Sequence, residues 1–205
     1  MHTLILCDGE QPSRALLQRQ VAAADLVVAT DGAAAWARAA GVMPQVVIGD
    51  FDSLSEVTGD WELVHAGAHD QQDNSDSEKA LLLALDRGAT EIVFLGATHR
   101  RLDHTLANVW LAAKYHGRAR IVLVDDYGAC EVVSGHRKLC VNPGSIISLV
   151  PLTRDVVVHT EGLKWRLNGP LEPGSRGLSN EAVSEEVTLD VATGLVAVVV
   201  VSHRT

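Results

Sequence analysis

The 205-residue sequence predicts an α/β part followed by an antiparallel β-sandwich or partial barrel, on three observations. Up to residue 127, short runs of strand character alternate with alanine- and leucine-rich stretches of helical length. Those runs are apolar almost throughout, as strands are when helices cover both faces of a parallel sheet. From residue 128 to 205 the runs are all strand-like, and glycine and proline separate many of them.

In the first part the strand candidates are Thr3–Cys7, Leu26–Thr30, Gln45–Ile48, Glu91–Leu95 and Arg120–Val124. Between them fall helix candidates near Ser13–Ala24, Ala33–Ala40, Asp76–Arg87 and Asp103–Tyr115. Strands and helices alternating at these lengths make βαβ units with right-handed crossovers. The third helix has the clearest start: Ser75 and Glu78 form an S-x-x-E capping box, and Gly88 suits the position after its end. In the second part the candidates are Val132–Val133, Lys138–Val141, Ser145–Leu149, Asp155–Thr160, Leu163–Leu167, Val187–Val191 and Leu195–Val201. The segment Asp190-Val-Ala-Thr-Gly194 is predicted to be a hairpin connection into the last strand.

Composition narrows the function. The net charge is -9 and no Lys/Arg cluster exists, which argues against general affinity for nucleic acid or anionic membrane. The longest apolar run, Leu195–Val201, is far too short for a membrane helix. The first residues lack the pattern of a signal peptide. Three cysteines without metal-ligand spacing suit reduced thiols, so a cytoplasmic location is expected.

Carboxylates gather where an open α/β sheet binds ligands, beyond the carboxyl ends of its strands. Asp31-Gly32 follows the second predicted strand, Asp50-Phe-Asp52 the third and Asp125-Asp126 the fifth. Asp50 and Asp52 point the same way in an extended segment. Such a pair repels unless a cation, a proton or a basic partner lies between, and hard oxygen ligands suit Mg²⁺ with substrate phosphates. The alternative is a turn in which both carboxylates bond local backbone. Asp76 is explained equally by the helix dipole. Gln72 and Asp73, just outside that helix, have no evident structural task. In the loop Gly96–His104, arginines beside a helix start suit phosphate, while Asp103 is also a possible N-cap. No phosphate-loop or dinucleotide fingerprint and no nucleophile elbow occurs.

The ordered set Asp31-Gly-Ala-Ala, Ile48-Gly-Asp-Phe-Asp-Ser-Leu54, Asp73-x-x-Asp76-x-Glu-Lys-Ala80 and Arg101-Leu-Asp-His104…Asn108 resembles the thiamine pyrophosphokinase family. Gly162-Leu-Lys-Trp165 and Gly177-Leu-Ser-Asn-Glu181 extend the likeness into the β part, so it covers nearly the whole chain. The resemblance implies a Rossmann-like catalytic domain that binds ATP and Mg²⁺ over residues 1–127. It also implies a β-sandwich over 128–205 for thiamine binding, and a homodimer with active sites between subunits. The implied reaction moves the pyrophosphoryl group of ATP to the hydroxyl of thiamine, giving thiamine diphosphate and AMP.

By position, the resemblance makes Asp50, Asp52 and Asp76 the Mg²⁺ ligands, and places Asp31 and Gln72 on the thiamine side. Arg101, Asp103, His104 and Lys79 fall on the nucleotide, and Ser179 and Asn180 on the thiamine pocket. Asp76 or Asp103 is the candidate to assist the accepting hydroxyl, and Trp165 is either a buried sandwich residue or a ligand contact. One departure stands out: His99-Arg100 replaces the family's usual Gly-Gly. Alternative readings are a pyrophosphokinase or nucleotide transferase with another acceptor such as a pterin, a D-x-D glycosyltransferase, and a non-catalytic thiamine-binding module.

Overall fold

A computed structural model describes residues 1–49, 62–65 and 74–202. By internal contacts the chain divides into two units, Met1–Asp126 and the residues from Tyr127 onward. The predicted mixed α/β class holds.

The first unit contains β1 (His2–Leu6), α1 (Arg14–Ala23), β2 (Leu26–Thr30), α2 (Asp31–Ala39), β3 (Val46–Gly49) and β4 (Glu62–His65). It continues with α3 (Asp76–Asp86), β5 (Glu91–Leu95), α4 (Leu102–Lys114) and β6 (Arg120–Asp125). The six strands pair in parallel in the order β6-β5-β1-β2-β3-β4. From β1 the chain builds outward through β2, β3 and β4, then returns to the other side of β1 with β5 and β6. The strand order therefore reverses between β1 and β5, and a crevice opens there at the carboxyl ends.

Burial explains the strand texture. Leu4, Leu6, Val27, Ala29, Val93 and Leu95 pack with residues of α1 and α2 in one core. The alternate residues Ile5, Val28, Ile92 and Phe94 are buried as well, and α3 lies against β1, β2 and β3. With both faces covered, the strands have no polar side to show, so alternation is lost. β4 has no counterpart among the predicted strands. It is a four-residue edge strand with Glu62 and Leu63 exposed, so it carries little hydrophobic signal.

Two helix starts are fixed by serine caps. The Ser13 hydroxyl accepts from the Leu16 N–H and the Ser75 hydroxyl from the Glu78 N–H, each at 3.3 Å. α4 differs, because its N-cap is Arg101. Asp103 lies inside the first turn and is not the cap.

The second unit holds β7 (Gly128–Cys140), β8 (Ile146–Pro151), β9 (Val157–Glu161), β10 (Asn168–Pro170), β11 (Asn180–Glu181) and β12 (Glu186–Val201). All their described pairings are antiparallel. Two expectations are corrected here. The predicted hairpin at Asp190–Gly194 does not form, because Glu186–Val191 and Val196–Val201 pair with the same strand, β7, in the same direction. An irregularity in register between Val191 and Val196 takes its place, a bulge that re-aims one long strand. The two predicted runs Val132–Val133 and Lys138–Val141 likewise merge into β7, because both face β12. Beyond the bulge β12 exchanges its other partner: residues 188–193 pair with β9 and residues 196–200 with β8. Ile147, Leu149, Val158, Val187 and Leu189, all fully buried, form the centre of this unit's own core.

Candidate active site

The crevice between β1 and β5 holds a cavity of about 300 Å³, lined entirely by residues of the first unit. Cys7, Asp8 and Gly9 line it after β1, and Thr30, Asp31 and Gly32 at the end of β2. Ser75, Asp76 and Ser77 come from the start of α3, and Gly96, Ala97 and the run His99–Arg101, with His104 and Asn108, close the other side.

The loops after β1 and β5 are stitched together by backbone hydrogen bonds. The Cys7 N–H donates to the Leu95 carbonyl at 2.9 Å, Gly9 to Gly96 at 2.7 Å and Glu10 to Thr98 at 3.1 Å. This approach requires glycine: a Cβ on Gly9 would lie 2.2 Å from the Gly96 oxygen, and one on Gly96 2.6 Å from the Cys7 oxygen. The Asn108 amide braces the same segment from α4, donating to the Ala97 carbonyl at 2.7 Å. One wall of the cavity is thus a rigid double loop.

Opposite it stand two of the predicted carboxylates. Asp31 is buried at the start of α2, and its Oδ1 accepts the Gly32 N–H at 2.6 Å. A Cβ on Gly49, the last described residue of β3, would come within 2.6 Å of the Asp31 carboxyl carbon. Asp76 opens α3, and its Oδ1 accepts from Lys79 Nζ at 2.9 Å, one turn along. Lys79 does not line the cavity, and its nearly buried ammonium holds Asp76 in place. Asp50, Asp52, Gln72 and Asp73 lie outside the described residues. Among those described, no three metal-binding side chains converge. Asp31 and Asp76 offer only hard oxygen donors, which suits Mg²⁺ better than a thiophilic ion.

Glu78 anchors this helix start to the end of α4. Its buried carboxylate accepts from Lys114 Nζ and from Tyr115 Oη, both at 2.6 Å. Burial pushes the Glu78 pKa up, but the two hydrogen bonds outweigh burial and hold it below the ordinary 4.5. A lowered native pKa stabilises the fold above the unfolded-state value, and the gain is lost as pH falls through the native value. Glu78→Gln should therefore cost about 1–2 kcal/mol at neutral pH. That difference should shrink on acidification below pH ~4 in urea melts. An unchanged midpoint at pH 7 would remove Glu78 from the account of how α3 is held.

The cations enter from the β5–α4 segment. Arg101 lines the cavity and forms a forked pair with Asp103, Nε to Oδ1 at 3.1 Å and Nη2 to Oδ2 at 2.5 Å. This hydrogen bond from Arg101 lowers the Asp103 pKa to about 2. Asp103 does not itself line the cavity, whereas His104 does. The sequence offers no reading of Asp8, and of Arg100 only that an arginine in this loop suits phosphate. Asp8 follows a predicted strand just as Asp31 does, and that position was the available signal. Arg100 reaches across to it, Nη1 meeting Asp8 Oδ1 at 2.5 Å and the Asp8 carbonyl at 3.1 Å. His99 Nε2 lies 3.3 Å from Asp125 Oδ2, which also accepts the Thr98 hydroxyl at 2.8 Å.

In the second unit the Asn180 side chain serves its own backbone. Its Oδ1 accepts from the Trp165 N–H at 3.1 Å and the Glu181 N–H at 2.9 Å, and its Nδ2 donates to the Trp165 carbonyl at 2.6 Å. Ser179 precedes it with φ +54° and donates its N–H to the Ser148 hydroxyl at 3.0 Å. Trp165 is exposed, which corrects the buried-sandwich alternative, and Lys164 Nζ sits 5.0 Å from its ring centre. A buried amide thus presents an exposed aromatic ring.

A parallel α/β sheet with carboxylates and guanidinium groups at its strand-order switch is an arrangement suited to binding phosphates. Residues 17–123 match the family model of the thiamin pyrophosphokinase catalytic domain, and residues 136–196 match its vitamin B1 binding domain. The chain belongs to the thiamin pyrophosphokinase family, whose members are thiamine diphosphokinases.

Solved structures agree over the full length. The thiamine pyrophosphokinase from Bacillus subtilis has a TM-score of 0.85 at 22% identity, covering 100% of both chains. The thiamin pyrophosphokinase from Geobacillus thermodenitrificans has a TM-score of 0.84 at 25% identity, covering 100% of this chain and 99% of the other. For the yeast enzyme the TM-score is 0.77 at 18% identity, with coverage of 98% and 86%. Among curated proteins none matches. No described helix is long and apolar enough to cross a membrane.

Proposed function

We propose that this chain transfers the pyrophosphoryl group of ATP to the hydroxyl of thiamine, forming thiamine diphosphate and AMP with Mg²⁺. The observation that carries this reading is the cavity at the β1/β5 switch, where Asp31 and Asp76 face Arg101 and His104 in a chain of this family. Residues 1–127 act as the Rossmann-like catalytic domain, and residues 128–205 as a β-sandwich that binds thiamine and dimerises.

Arg101 and His104 hold the polyphosphate, and Asp103 fixes the Arg101 fork. Asp50, Asp52 and Asp76 would hold Mg²⁺, which when bound neutralises phosphate charge. Lys79 acts indirectly, by orienting Asp76. Asp31 and Gln72 border the thiamine side, with Ser179 and Asn180 shaping the surface that receives the vitamin. The thiamine oxygen attacks the β-phosphorus, the bond to the α-phosphate oxygen breaks, and AMP departs. The hydroxyl proton passes to Asp76, which lines the cavity, in preference to Asp103, which does not. The three free thiols suit a cytoplasmic enzyme.

The test is incubation of purified protein with ATP, Mg²⁺ and thiamine, quantifying AMP and thiamine diphosphate beside a chelator control. Equal, metal-dependent formation of both is expected. No product with thiamine, but AMP release with a pterin alcohol, would move the acceptor. Stabilisation by MgATP without any turnover would turn the enzyme into a binding module.

A further inference from the structure

His99 and Arg100 have φ of +61° and +56°, the left-handed region that side chains other than glycine rarely adopt. The Arg101 N–H closes the turn onto the His99 carbonyl at 2.5 Å. The backbone therefore keeps a shape that glycine would take without strain, while carrying two large side chains at the cavity. An observed outlier of this kind points to function when the surroundings do not explain it. The Arg100–Asp8 pair does not explain it. Both side chains are at least half exposed, and exposed ion pairs add little stability.

What the pair does is aim the guanidinium. Nη1 is fixed by the Asp8 carboxylate and carbonyl, and Asp8 belongs to the rigid double loop. Three features then coincide: a cavity wall, a guanidinium exposed enough to keep donors for a ligand, and Arg101 as its sequence neighbour. We infer that Arg100, positioned by Asp8, is a second guanidinium contact for the β,γ-phosphates of the nucleotide and sets a preference for triphosphate over monophosphate. This rests on the proposed nucleotide reading of the cavity. Two neighbouring guanidinium groups match the charge of a polyphosphate tail better than one, and a monophosphate brings less charge to meet them. Asp8 is a positioning residue in this arrangement. Its own negative charge repels phosphate, so its value lies in holding Arg100.

The experiment compares wild type, Arg100→Gly, Arg100→Lys and Asp8→Asn for binding of MgATP and of AMP by calorimetry, with steady-state kinetics and melting temperature alongside. Glycine removes the guanidinium and the left-handed strain together, so R100G should melt at or above the wild-type temperature. Its affinity for MgATP should fall by about ten- to a hundredfold while AMP binding stays unchanged. R100K should recover part of the loss, and D8N should raise KM for ATP more than it lowers kcat. D8N should also have less effect in the R100G background, as expected of residues acting through one another. If R100G binds MgATP as wild type does, or loses ATP and AMP equally, the inference is overturned while the proposed function stands. If wild type itself shows no response to MgATP, the nucleotide reading fails and this inference with it.

Discussion

Replacing Asp76 by Asn is expected to lower kcat about a thousandfold, the size of losing several kcal/mol of charge stabilisation in the transition state. Asp76 opens α3 at the cavity, and Lys79 fixes its carboxylate at 2.9 Å. The amide keeps an oxygen for Lys79 but cannot neutralise a cation or accept the hydroxyl proton. Stability should change by only about 1 kcal/mol, mostly from the lost charge in the first helical turn. A collapse of kcat with a nearly unchanged melt would thus separate chemistry from folding. Titrating Mg²⁺ sharpens the test, because the variant should need far more metal for its residual rate. Wild-type kcat in Asp76→Asn would take Asp76 out of the reaction altogether.

Adding one methyl group at Gly9 should be among the most damaging small changes. The new Cβ would sit 2.2 Å from the Gly96 oxygen and 2.7 Å from the Thr98 oxygen. Both are backbone atoms, so no rotamer change relieves the clash and the two loops must part. Overpacking and two weakened hydrogen bonds together predict a loss of about 2–4 kcal/mol. Because the same loops form the cavity wall, stabilisation by MgATP should fall too. Gly41→Ala is the control: its φ is +81° but nothing lies within 4 Å, so only the backbone penalty of about 1 kcal/mol applies. Chemical melts of both variants, with and without MgATP, decide the matter. Gly9→Ala as stable as Gly41→Ala would mean that the loops are not held together as described.

Between these residues lies the boundary of what sequence reading reaches. Position relative to predicted strands and helices, which is local information, singled out Asp31, Asp76 and Arg101, and the family resemblance singled out His104; all four line the cavity. Lys79 shares the motif of Asp76 yet does not line the cavity and pairs with Asp76, and Asn180 spends its amide on Trp165. A motif records residue type and spacing, whereas direction depends on what packs nearby. Asp8 and Arg100 are 92 positions apart in the chain, so no local pattern could pair them.

By itself the sequence determined the alternation of apolar strands and helices, the serine caps, and the acidic strand ends. Each follows from interactions among residues a few positions apart or from the burial of a face. Only the tertiary structure decided the strand order and the continuity of β12 through its bulge. The same holds for the stitching of the β1 and β5 loops and the left-handed turn that presents Arg100. These depend on backbone hydrogen bonds and contacts between distant segments, whose partners are chosen by the packed sheet and not by near neighbours in the chain.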